Sequence, residues 1–242
     1  MSIRPVLIIE HEAACPPAWL GEWLSAAGAN LDVRRPYLGE PLPDDLGGHS
    51  ALVILGGTMD ASSDDRHPWL TQVKSLVRSV ATDGTPTLGV CLGHQLIAEA
   101  LGGRVARNPR GQQIGVLDVG WQPAAAEDPL FGAVAGPHGV VQWNNDIVTE
   151  LPVGAVVLAR TSGGEVQACR YAAAVWGVQW HPEAGAETVA AWAELDRDRI
   201  RSLGRDVDDY VAQVALARDE LRASGRQLVD RFSAIARATT AP

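Results

Sequence analysis

Long apolar runs are missing from this chain. No stretch of its 242 residues approaches the roughly 20 apolar residues that a membrane-crossing helix needs. The opening "MSIRPVLIIE" has an apolar run broken at once by Glu10 and His11, so no secretory signal is expected. Cysteine is scarce. There are three, an odd count with no short-range pairing pattern, which excludes a disulfide scaffold and leads us to expect a reducing, cytoplasmic setting where a thiol stays free. Basic charge is short as well: 20 Lys and Arg against 29 Asp and Glu give a formal net charge of -9. Proteins that displace counterions from phosphates need basic patches, so nucleic acid is not expected as a partner, and without a spanning apolar run neither is a membrane. The acidic excess suits a solvated surface. No G-x-x-x-x-G-K-[ST] loop and no closely spaced His or Cys cluster is present, so we expect no metal and no cofactor. Internal repeats and low-complexity segments are also lacking.

What is present is an ordinary globular composition, 46% hydrophobic and 20% charged, enough for one large domain or one domain with an extension. The first half alternates short apolar runs with helical patterns. "PVLIIE", "LDVRR", "ALVILGG" and "TPTLGV" read as strands. "PPAWLGEWLSAAGA", "HPWLTQVKSLVRSVATDG" and "LGHQLIAEALGG" read as helices, with Leu70, Val73, Leu76, Val77 and Val80 on one face of the second. This alternation predicts an open, mostly parallel sheet with helices on both faces. The second half holds short strand-like pieces: "IGVLDVGW", "HGVVQW", "AVVLART", "VQACRY" and "VWGVQW". A helix-rich tail begins near Gly185. In it Val207, Tyr210, Val211, Val214, Leu221, Leu228, Phe232 and Ile235 form an apolar stripe that suits packing on the domain, and Ser224-Gly225 marks a candidate break. "ASSDDRHP" reads as a polar loop and helix cap, with a place over a site as its other reading.

Gly89-Val90-Cys91-Leu92-Gly93 has the form small-x-nucleophile-x-small that a tight strand-to-helix turn demands. Such a turn exposes the thiol at the carboxyl edge of the sheet, where open α/β sheets hold ligands. The helix beginning at Leu92 offers a dipole that favours thiolate and free N–H groups that face a developing oxyanion. The competing reading of this stretch alone is an inert thiol buried at a glycine-rich turn. A thiolate nucleophile also needs a base. Of the six histidines, His94 is expected to point back along its helix and to pack or hydrogen-bond. His11, His49 and His138 are flanked by loop signals, and His67 sits at a helix start. His181 closes the run "WGVQWHPE", read as a strand stopped by Pro182. Glu183, two residues on, falls on the same face of an extended segment. Cys15 and Cys169 lack any motif; Cys169 is expected in the core.

"GVCLGHQLIAEALGG" together with "WGVQWHPE" resembles the class I glutamine amidotransferases, and "LVILGGTMD" resembles their glycine-rich oxyanion loop. The resemblance covers about residues 4 to 190. "RNPRGQQIGV" and "QWNNDIVTELPVGAVVLARTS" are most similar to stand-alone members akin to the amidotransferase domain of GMP synthase. The resemblance implies a flavodoxin-like fold, with residues 1–190 as the amidotransferase domain and 191–242 as a helical extension packed on it. It implies a triad of Cys91, His181 and Glu183, an oxyanion hole from the backbone N–H groups of Gly57 and Leu92, and substrate contacts at Gly56, Gln95, Asn145 and Asp146. The implied ligand is glutamine or another γ-glutamyl small molecule; a separate synthase subunit would take the ammonia. Three positions depart from the family's pattern: Thr58 where proline is common, Asn144-Asn145 where His-Gly is common, and Gln113 where an acid is common. The departures at 144 and 145 motivate a second reading, a γ-glutamyl peptidase or hydrolase. A third, from another class, is a non-catalytic binding or regulatory module.

Overall fold

The computed structural model describes residues 4–136, 138–202 and 204–239. The first half runs β1 (Val6–Ile9), α1 (Ala18–Ala26), β2 (Leu31–Arg34), β3 (Ala51–Ile54), α2 (Trp69–Asp83), β4 (Thr87–Val90) and α3 (Leu92–Ala100). There follow β5 (Arg104–Arg107), β6 (Gln113–Asp118), β7 (Gly120–Trp121), β8 (Gly139–Asn144), β9 (Asp146–Glu150), β10 (Val156–Arg160), β11 (Val166–Ala172) and β12 (Val175–Val178). The chain closes with α4 (Ala186–Leu195), α5 (Arg197–Ser202), α6 (Val207–Leu216) and α7 (Arg218–Thr239).

The central sheet has eight strands in the order β2-β1-β3-β4-β12-β11-β10-β7. From β2 through β12 neighbours are parallel; β11, β10 and β7 continue the sheet antiparallel. The alternation along β1 explains its unbroken apolar run. Val6 and Ile8 join one core with Trp23 and Leu24 of α1 and with Leu228, Val229 and Phe232 of α7. Leu7 and Ile9 join the opposite core with Leu70, Val73 and Val77 of α2 and with Leu96 and Ile97 of α3. A strand buried on both faces has no polar face to show. Fully burying each such side chain contributes about 1.5–3 kcal/mol.

Two antiparallel pairs, β5 with β9 and β6 with β8, sit apart from the central sheet. Their separateness has no signature in the sequence. β9 follows β8 after the single residue Asn145, and β5 reads "RVAR" and is largely exposed. "IGVLDVGW" divides between β6 and β7, which belong to different sheets. The strand read through to His181 ends at Val178; the next residues bend, and His181 N donates to the Val141 carbonyl at 2.8 Å.

The C-terminal stripe divides among several packing partners. Val207 and Tyr210 pack with Ile114, Ala193 and Ile200. Val214 and Leu221 pack with Val141, Val189 and Trp192. Ser224-Gly225 does not break the tail. Helix α7 continues through it, and the break falls at Ala217. Gly225 is needed for a different reason: a Cβ there would lie 2.8 Å from the Trp23 ring and 3.0 Å from the Pro182 carbonyl. It lets α7 lie flat on α1. Among the described residues no helix is long and apolar enough to cross a membrane.

Candidate active site

Four parallel strands end at one edge of the sheet, and the segment after each supplies part of a single cavity. After β1 comes the turn holding Glu12 and Cys15; after β3, Gly57 to Asp60; after β4, Cys91; after β12, His181. This is the carboxyl edge, where an open α/β sheet presents its ligand crevice. The cavity holds about 390 Å³, within the usual size of a small-molecule site.

Cys91 stands at the turn between β4 and α3 with φ 50° and ψ -103°. Only one other described non-glycine residue, Ala18, has a positive φ. A backbone held in this region costs about 1–3 kcal/mol and persists only where its surroundings enforce it. Here two glycines enforce it. A Cβ on Gly89 would lie 2.6 Å from the Gly93 backbone, and one on Gly93 would strike the Ile54 carbonyl. Leu92 N–H, first in α3, and Gly57 N–H, in the loop after β3, have no acceptor in the protein among the described residues.

Glu183 Oε1 accepts a hydrogen bond from His181 Nδ1 at 2.7 Å, and both side chains are buried. Burial alone would lower the imidazole's pKa. The Glu183 carboxylate and the neighbouring Cys91 side chain outweigh it and lift His181 to about 10. The Trp192 ring lies against the imidazole, with centroids 4.5 Å apart, and its Nε1 donates to the Ala14 carbonyl at 2.7 Å. A Cβ on Gly56 would sit 3.0 Å from His181 Cε1 and 3.7 Å from Cys91 Cβ. Glycine there lets the two side chains approach.

Gly57, Cys91, Gln95, Asn145, Asp146 and His181 all line the cavity. Gly56, Leu92 and Glu183 lie in the layer behind it. Gln95 Nε2 donates to the Asp146 carbonyl at 3.0 Å and to Gln179 Oε1 at 3.3 Å. Thr58 Oγ1 donates to Glu12 Oε2 at 2.7 Å, tying the glycine loop to the turn after β1. Asp146 is held above its ordinary value by burial and by the neighbouring Asp60 carboxylate, against the pull of Arg107. Arg199 donates from one nitrogen to Asn145 Oδ1 at 2.6 Å and from another to Asp196 Oδ2 at 3.0 Å. Asp196 also accepts from Trp143 Nε1 at 2.8 Å.

Several of these residues carry no local sequence signal. Trp192, Leu195, Asp196 and Arg199 reach the cavity because α4 turns into α5 beside β8. Cys15, without a motif, also lines it; burial first, then Glu12, Cys91 and Glu183, push its thiol up, so it stays protonated. His94 behaves as expected of a packing residue, with Nδ1 3.1 Å from the Tyr171 hydroxyl. Cys169 is fully buried in the core. "ASSDDRHP" acts at α2, where Asp64 accepts from Thr71 Oγ1 at 2.8 Å and from Lys74 Nζ at 2.6 Å. His11 does lie in a loop, after β1. It is fully buried and accepts from Trp69 Nε1 at 3.2 Å.

An open parallel sheet that presents a cysteine at a strained strand-to-helix turn, beside a buried histidine–carboxylate pair, defines a class of α/β proteins suited to thiol chemistry. Comparison with known proteins narrows it. The sequence profile of class-I glutamine amidotransferases matches residues 24–191, and the chain belongs to that family. It is 31% identical over 187 residues to the glutamine amidotransferase-like protein YfeJ of Salmonella typhimurium, covering 76% of this chain and 77% of that one. It is 31% identical to gamma-glutamyl peptidase 5 of Arabidopsis thaliana, over 64% of this chain and 62% of the relative. A GMP synthase of Aeropyrum pernix is 35% identical over 65% of this chain, which spans only 29% of that protein's length. The crystal structure of a glutamine amidotransferase from Thermotoga maritima superposes with a TM-score of 0.85 at 26% identity, over 96% of this chain and 99% of that one.

Proposed function

We infer that this chain hydrolyses the γ-amide of glutamine through a thioester on Cys91. The carrying observation is that Cys91, at its strained turn, shares one cavity with the 2.7 Å His181–Glu183 pair, close enough that a Cβ on Gly56 would touch both Cys91 and His181. In the reaction the Cys91 thiolate attacks the amide carbon of the substrate. The oxygen gathers negative charge, and the N–H groups of Gly57 and Leu92 receive it; one such donor is worth about 3–4 kcal/mol in a transition state. His181, as imidazolium, gives its proton to the nitrogen. The C–N bond breaks, ammonia leaves, and a γ-glutamyl thioester remains. His181 then takes a proton from water as the hydroxyl attacks the thioester. Glutamate departs and the thiolate returns. Glu183 holds the imidazole in the orientation and charge state that each step uses. Gly56, Gln95, Asn145 and Asp146 shape the seat of the glutamyl group. Three free cysteines suit a reducing cytoplasm.

A second reading is favoured by the wall that α4 and α5 add to the cavity. Trp192, Leu195, Asp196 and Arg199 give room and contacts for a leaving group larger than ammonia, as in a γ-glutamyl peptide. In this reading residues 191–242 act as an extension that completes the pocket of the 1–190 domain, and no synthase partner is required. The glutamine-hydrolysing GMP synthase subunit of Halobacterium salinarum, 40% identical over 107 residues, supports the other arrangement, in which a second polypeptide receives ammonia. Labelling with 6-diazo-5-oxo-norleucine followed by peptide mapping tests the shared chemistry. An adduct on Cys91, absent in Cys91→Ala, is expected; none at millimolar reagent contradicts it. Relative kcat/KM on glutamine and on γ-glutamyl dipeptides then separates the two substrates.

A further inference from the structure

Five side-chain amides form a ring that reaches from the cavity wall, at Gln95 and Asn144, to the layer beneath it. Gln95 Nε2 donates to the Asp146 carbonyl and to Gln179 Oε1. Asn144 Nδ2 donates to the same carbonyl at 3.1 Å and to Gln113 Oε1 at 3.1 Å. Gln167 Nε2 donates to Gln113 Oε1 at 3.3 Å, and Gln179 N donates to the Gln167 carbonyl at 2.8 Å, which joins the ends. The orientation of every amide is forced. A backbone carbonyl only accepts, so Gln95 and Asn144 must each turn nitrogen toward Asp146. Gln179 and Gln113 must then offer oxygen, and Gln167 must offer nitrogen.

With those orientations fixed, the ring's spare atoms have nowhere in the protein to bond. Asn144 Oδ1, Gln167 Oε1 and Gln179 Nε2 are buried without a partner, as are both polar atoms of Gln142. Gln142 lies two residues before Asn144 on β8 and so on the same face. These four side chains are 3% exposed or less. An unsatisfied buried amide is costly, and native proteins rarely keep one, let alone a cluster. The spare set mixes donors with acceptors and carries no charge. That combination matches water, which does both, and suits neither an anion nor a cation.

We propose that the ring of Gln95, Asn144, Gln113, Gln167 and Gln179 encloses an ordered-water site, and that Gln113 and Gln167 are positioning residues for the glutamyl group. Neither lines the cavity. They act through Asn144 and the Asp146 carbonyl, which together fix Gln95 and the 144–146 segment. Gln113 is the keystone, since its single oxygen takes both neighbours. This rests on the proposed function for its kinetic part, and on the ring alone for its structural part.

The test uses the full chain. In a high-resolution crystal structure, ordered waters are expected within hydrogen-bond reach of at least two of Asn144 Oδ1, Gln167 Oε1 and Gln179 Nε2. A dry ring, or one whose spare atoms bond to repacked side chains, overturns the water site. Gln113→Met is expected to raise KM on glutamine or a γ-glutamyl dipeptide roughly tenfold or more, with kcat within about threefold. Gln113→Glu, whose carboxylate accepts both N–H groups, is expected to restore KM. An unchanged KM in Gln113→Met, or a fall in kcat alone, overturns the positioning role. Should Gln113→Met fail to fold, Gln167→Met carries the same test. A wild-type chain inactive on every γ-glutamyl amide sinks the proposed function instead. The positioning role is then decided by whether Gln95 and the Asp146 carbonyl shift in the variant's crystal structure; no shift overturns it.

Discussion

Glu183 bonds one carboxylate oxygen to His181 and leaves the other without a protein partner. It has the side chain to perturb first. Glu183→Gln keeps the shape but removes the charge that lifts His181, and kcat is expected to fall on the order of 10³-fold or more in a steady-state ammonia assay. The same pair has a stability signature. His181 binds its proton more tightly folded, at about 10, than unfolded, near 6.5. The stabilisation is therefore complete below about pH 6.5 and is lost as the pH rises through about 10. Urea midpoints of wild type and Glu183→Gln are expected to differ most near pH 6 and to converge above about pH 10; a constant gap contradicts the assignment. That Cys91 lies beside the His181–Glu183 pair was legible in the sequence because each sits in a short motif whose local geometry is nearly self-contained. Arg199, Asp196 and Trp192 were not, because nothing near them in the chain says that α4 will turn back on His181.

At the scale of elements, the turn between β4 and α3 depends on glycines that touch no substrate. Gly93→Ala would drive a methyl group into the Ile54 carbonyl of the neighbouring strand. A loss of about 1–3 kcal/mol or more is expected in chemical denaturation, along with slower alkylation at Cys91 as the turn opens. Gly225→Val should lift α7 from Trp23 at a comparable cost, with only a small effect on KM, since Gly225 lies behind His181 rather than in the 390 Å³ cavity. The parallel strands could be read from the sequence because both-face burial leaves an unbroken apolar signature. β5 and β9 could not, since "RVAR" is largely exposed and only Asn145 parts β9 from β8. The Ser224-Gly225 pair misled for a physical reason. Glycine weakens a helix by about 1 kcal/mol, yet here the close approach to Trp23 requires it.

Across the whole molecule, two buried neutral histidines set the acid limit. His11 and His94 are each lowered to about 3, chiefly by burial. Unfolded they would take up protons near pH 6.5, so the unfolded state binds more protons as the pH falls from there toward 3. Each can cost up to about 1.4 kcal/mol per pH unit across that window. His94→Gln is expected to flatten the decline of the urea midpoint between about pH 6 and 4; an unchanged slope contradicts it. Both effects are on stability and stand apart from the chemistry proposed at Cys91. That chemistry is tested most directly by quenching the full chain with acid during turnover of glutamine and mapping the peptides by mass. A γ-glutamyl thioester is expected on the Cys91 peptide, released by hydroxylamine and missing in Cys91→Ser. Turnover that persists in Cys91→Ser, or an acyl group carried by another residue, would contradict it.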